Sequence, residues 1–122
     1  HDPLMTDFNN AIFAFYKDLE NQKQDSRVLT ITTSEFGRTV KENGSQGTDH
    51  GTAASLFVLG PGAKPGIHGR HPSLTDVTGG GGNWLKHTWD FRSVYATAME
   101  RWLGISSEPV LGEKFELVDC IA

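Results

Sequence analysis

The sequence predicts an α/β fold, and three features of its patterning do so. A helical pattern runs from 3 to 22, two runs rich in β-branched residues follow at 27–33 and 54–60, and a second helical pattern occupies 90–104. Helix, short connection and strand, closing on another helix, is the rhythm of a sheet covered by helices. The 122 residues suit one domain, 1–122, with enough chain to bury a core.

Spacing carries the first helix. Leu4, Phe8, Ala11/Ile12, Phe15 and Leu19 recur every three or four positions, which is one face of a helix. Asp2 is placed to cap it, and Pro3 suits its first turn, where no backbone N–H is needed. "QKQDSR" is a polar connection. "RVLTITT" (27–33) then offers branched side chains that fit a pleated surface, and "ASLFVLG" (54–60) does the same until "GPGAKPG" stops it. Asp90 caps the last helix and Gly104 ends it. Leu29, Ile31, Leu56, Phe57, Val58, Phe91, Tyr95 and Trp102 are the expected core, and a short strand is expected near 114–118.

Two long segments separate these elements. "SEFGRTVKENGSQGTDHGTA" (34–53) and "IHGRHPSLTDVTGGGGNWLKHT" (67–88) read as loops, and loops of such length inside a compact domain are commonly functional. The four glycines at 79–82 lack both the GK[ST] ending and the GxGxxG spacing of phosphate loops, so they read as a flexible turn.

Composition removes several classes of function. A net charge of −4 provides no basic footprint for nucleic acid. No apolar run approaches the ~20 residues of a membrane span. Cys120 is the sole cysteine, so no intrachain disulfide or CxxC metal site is available, and without a nearby His it reads as inert. No GxSxG elbow occurs. The chain starts at His1 and enters a helical pattern almost at once, which leads us to expect a piece of a longer protein whose missing part holds the rest of any active site.

"GTDHGTA" (47–53) raises the chemical question. Asp49 and His50 offer oxygen and nitrogen donors of the kind that bind Zn²⁺, Mn²⁺ or Fe, between glycines that allow close backbone approach. An Asx-turn in a glycine loop would account for the same dipeptide without chemistry. The dipeptide stands in a loop between two strands, where ligands collect in α/β sheets, and that favours a metal half-site. His87, before the last helix, is the expected third ligand; His68 and His71 flank a turn and read as solvated. Glu35 and Arg38 follow the first strand. Arg38 would clamp an anionic oxygen with its planar fork; a local Glu35–Arg38 ion pair is the plainer reading.

"TTSEFGRTVKENGSQGTDHGTAASLFVLG" and "LKHTWDFRSVYATAMERWLG" closely resemble a bacterial family of unknown function, domain of unknown function fifteen-oh-one, over nearly the whole chain to about Gly104. That family is similar to the alkaline phosphatase and sulfatase superfamily, and its members are commonly exported. The resemblance implies the C-terminal portion of an alkaline-phosphatase-like mixed sheet flanked by helices, with two divalent metals, zinc foremost, at one end. It implies metal ligation by Asp49 and His50 for one ion and by His87, in His87–Thr88, for the other. Glu35 and Arg38 would assist. The implied activity is hydrolysis of a small anionic phosphate or sulfate ester, with the early Asp and the Ser or Thr nucleophile outside this chain and the fragment inactive alone. The remainder of the chain or a partner subunit would complete the site. A non-catalytic scaffold that keeps the fold is the alternative.

Overall fold

A computed structural model describes residues 2–122 and shows a mixed α/β chain. In order come α1 (Asp2–Asn21), a 3₁₀ turn (Asp25–Arg27), β1 (Thr30–Ile31), β2 (Gly37–Arg38), β3 (His50–Gly51), β4 (Val58–Leu59), β5 (Val77–Thr78), β6 (Trp84–Leu85), α2 (Phe91–Thr97) and α3 (Glu108–Leu111). A π-helical turn, Ala98–Trp102, continues α2.

The expected strands pair with each other. Thr30 faces Leu59 and Ile31 faces Val58 in antiparallel register. The ribbon reaches one residue further, where Thr32 N–H donates to the Phe57 carbonyl at 2.9 Å. There the Thr32 hydroxyl takes the Phe57 N–H at 2.8 Å in place of a backbone partner, and the regular ladder stops. The expected single mixed sheet is replaced, among the described residues, by three two-stranded antiparallel ribbons, β1–β4, β2–β3 and β5–β6. Both long loops therefore contain a hairpin.

The core forms around α2 and the C-terminal tail. Val94, Val118, Cys120 and Ile121 make its buried centre, with Leu29, Ile31, Leu56, Val58 and Trp102 half-buried against it. Two expected core aromatics lie outside. Phe57 is 45% exposed and packs on Phe8 of α1 at 5.8 Å, while Phe91, in the first turn of α2, is 59% exposed and meets Tyr95 edge-on. Tyr95 is half-buried, its hydroxyl 2.7 Å from that of Thr33.

The expected strand at 114–118 is irregular, because side chains of α2 hold the tail where strand partners would. The buried Thr97 hydroxyl donates to the Ser93 carbonyl at 2.7 Å and accepts the Val118 N–H at 2.9 Å. Arg92 lies over the Phe115 ring at 4.4 Å. Beyond, Ile121 bridges Ala63, and Asp119 meets both Lys64 and Arg101. Burial pushes the Cys120 thiol up, so its reactive thiolate is disfavoured, in keeping with an inert cysteine.

Helix α1 docks lightly. Phe8, Ile12, Tyr16 and Leu19 are half-buried, and the Tyr16 hydroxyl donates to Thr30 Oγ1 at 3.0 Å. Tyr16 takes the place expected for Phe15, since its polar tip finds a partner at the edge of β1. Leu4, Met5, Phe13 and Phe15 remain exposed.

Two outcomes follow from the packing of α2. Thr97→Val keeps the shape of the side chain but strands the buried Val118 N–H, so urea unfolding should show a loss of about 1–3 kcal/mol. The Asp90 side chain caps α2 by accepting Arg92 N–H at 2.9 Å, and its hydrogen bonds with the Arg92 side chain hold its carboxyl at about 2, below the usual 3.8. A depressed carboxyl stabilises the fold above its unfolded pKa and ceases to do so as pH falls through the folded value. Wild type should thus lose stability between pH 3.8 and about 2 more steeply than Asp90→Asn, as followed by thermal melts across that range.

Candidate functional site

The site is built on the β2–β3 hairpin. Gly37 pairs with Gly51 and Arg38 with His50. Glycine is needed at both ends of this contact because the strands nearly touch. A Cβ on Gly51 would lie 2.6 Å from the Arg38 carbonyl carbon and oxygen, and one on Gly37 would collide with the Ala53 backbone.

Thr39 pins the loop that returns to His50. It is 7% exposed, donates its N–H to the Asp49 carbonyl at 3.1 Å, and accepts the Asp49 N–H on its hydroxyl at 3.0 Å. The β5–β6 hairpin braces the same edge. Asn83 accepts from Val40 N–H at 3.0 Å and from Lys41 N–H at 2.8 Å, and Thr39 bridges Trp84. The glycines at 79–82 form a left-handed turn with φ from 38° to 76°, against which the Trp84 indole lies at Gly79 and Gly80. They serve to bring Asn83 to the edge of β2, a local role for the four glycines read as a turn.

The expected site residues then fall as follows. Asp49, just before β3, and His50, the first residue of β3, are both exposed. Asp49 Oδ1 accepts from the Asn43 amide at 2.8 Å, and the His50 ring stacks on Phe36 with centroids 3.7 Å apart. Arg38, cross-strand from His50, donates to the Thr48 carbonyl at 2.9 Å and lies over the other partner of that stack, Phe36, at 5.3 Å. Glu35 is exposed on the approach to β2, and among the described residues no ion pair joins it to Arg38. His87 is exposed beside Asp90, whose carboxyl it helps to depress slightly. His68 meets the Lys64 carbonyl and His71 the Pro72 carbonyl. The structure brings Arg38, Asp49 and His50 to one edge.

It does not gather His87 with them into a ligand group. Among the described residues there is no group of three or more His, Cys, Asp or Glu side chains suited to a metal ion. Carboxylate and imidazole are donor types that suit a zinc-class ion, and Asp49 and His50, both exposed, would together supply two of the four ligands such an ion takes. Phe36, Thr39 and Asn43, which support the pair, were not singled out from sequence. Only Asn43 had a local signal, an Asn before Gly–Ser of the kind that makes Asx-turns.

A family model described as protein of unknown function (DUF1501) matches residues 1–111, covering the hairpin, both candidate ligands and α2. The chain belongs to this family. No curated protein matches and no solved structure matches. Among the described residues no helix is long and apolar enough to cross a membrane.

The close strand contact generates a direct outcome. Gly51→Ala should force β2 and β3 apart, at about 1–3 kcal/mol for an overpacked position. Hydrogen exchange at the Arg38 and Thr39 amides should accelerate while the amides of α2 keep their protection. Unchanged protection at Thr39 would contradict the close pairing.

Proposed function

We propose that this DUF1501 chain contributes two metal ligands and an anion-facing arginine to a metal-dependent hydrolase of small phosphate or sulfate esters. One observation carries the reading: Arg38 and His50 are paired in register on an exposed hairpin edge with Asp49 beside them. A cation site next to a guanidinium is suited to an ester whose oxygens are negatively charged. The alkaline-phosphatase-like relationship implied by the sequence resemblance points the same way and carries with it an exported protein and a zinc-class ion.

Asp49 would present a carboxylate oxygen to the ion and His50 an imidazole nitrogen. The ion, when bound, supplies Lewis-acid polarisation of an ester oxygen. Arg38 has five N–H donors and gives one nitrogen to Thr48, so the rest of its fork serves to orient an anionic group. Glu35, three residues ahead of Arg38, is the nearest carboxylate in sequence and would orient that fork on the proposed reading. The remaining ligands, His87 included if its loop moves to the edge, and the nucleophile come from elsewhere in the intact protein or from a partner subunit.

A second reading, a scaffold without catalysis, has its own support in the exposed apolar side chains of α1, Leu4, Met5, Phe13 and Phe15. Metal content and turnover separate the two. In the intact protein, Asp49→Asn and His50→Ala should each remove one equivalent of metal and most turnover of a chromogenic phosphate or sulfate ester, with melting temperature little changed. A His50→Ala protein that unfolds while metal content and turnover per folded molecule stay normal would make the pair a structural turn.

A further inference from the structure

We propose that Asn43 is the positioning residue for the Asp49 carboxylate, an inference that rests on the reading of Asp49 as a metal ligand. The Asn43 amide oxygen accepts the Ser45 N–H at 2.9 Å and the Gly47 N–H at 3.1 Å. A carbonyl oxygen has two lone pairs, and both are taken by the loop backbone. The plane of the amide is thereby set, and its NH2 group faces the other way, where it donates to Asp49 Oδ1 at 2.8 Å. Reversing the amide would point NH2 at two N–H donors and oxygen at a carboxylate, so only one orientation satisfies all three contacts.

The chemistry of the donor matters as much as its position. A Lys or Arg in this place would hold the carboxylate but offset the negative charge that attracts a cation. A neutral amide orients Asp49 and leaves its charge in place. The backbone of Asp49 is separately fixed by Thr39, and the Asn43 NH2 group meets Asp49 at its side chain. Groups that orient ligands in this manner change metal affinity by about tenfold to a hundredfold when removed.

The test measures zinc affinity of the intact protein by competition with a chromophoric chelator, alongside hydrogen exchange at the Thr39 and Asp49 amides. Asn43→Ser keeps a hydroxyl for the Ser45 N–H but cannot reach Asp49; Asn43→Ala removes all three side-chain contacts. Both variants should bind zinc about tenfold or more weakly than wild type. They should do so to a similar extent even where Asn43→Ala loosens the two amides more. Zinc affinity unaltered in Asn43→Ser, or a loss that follows amide loosening across the two variants, overturns the positioning role. Asp49→Asn keeps the two failures apart. If it leaves zinc affinity unchanged, the ligand reading itself fails; if it abolishes binding while Asn43→Ser does not, only the role of Asn43 falls.

Discussion

Thr39 holds Asp49 by both of its backbone polar groups, and the candidate site depends on that exchange. The N–H of Thr39 donates to the Asp49 carbonyl and its hydroxyl accepts the Asp49 N–H, at 3.1 and 3.0 Å. Because Thr39 is buried, water competes poorly for these bonds and they define the return of the loop. His50 then falls opposite Arg38, and the two glycines allow the strands to close. Without the pin, a twenty-residue polar loop would have no reason to bring its Asp–His pair back to the strand it left.

The arrangement separates rigidity from exposure. Backbone groups around the hairpin are paired, and Asn83 from the neighbouring ribbon extends that pairing to Val40 and Lys41. The candidate site side chains project from this frame into solvent: Arg38, Asp49 and His50 are all exposed. Each has a support that limits its motion without covering it, an amide for Asp49, an aromatic face for His50 and a carbonyl for Arg38. On the proposed reading, an edge of this kind would act as a half-site whose remaining donors come from other polypeptide. The buried core around Ile121 and Thr97 lies elsewhere, so substitutions at the edge need not unfold the chain.

Periodicity made the elements legible, while their side-chain partners decided what periodicity could not. The helices at 3–22 and 90–104 and the strands at 27–33 and 54–60 are legible in spacing and branching alone, as α1, α2, β1 and β4 show, whereas the antiparallel pairing of the two strands is found only in the structure. The hairpins inside the long loops were hidden, since β2–β3 is stabilised by glycine contacts and Thr39, neither of which leaves a period in the sequence. Tail residues 114–118 read as a strand in sequence, yet the Val118 N–H is taken by the Thr97 hydroxyl, a tertiary contact over 21 positions. Phe57 and Phe91 looked like core, but they cover neighbouring aromatics on the surface. Of the candidate site, Arg38, Asp49 and His50 were read from residue type and loop position; Asn43 and Phe36 required knowledge of which side chains the folded loop brings together.

The most direct measurement is a crystal structure of the intact protein grown with zinc, with diffraction recorded on both sides of the zinc absorption edge. An anomalous peak is expected about 2 Å from an Asp49 carboxylate oxygen and from a His50 ring nitrogen, within reach of Arg38. A zinc peak bonded to other residues, with Asp49 on Asn43 and His50 on Phe36 and no metal between them, would contradict ligation by the pair.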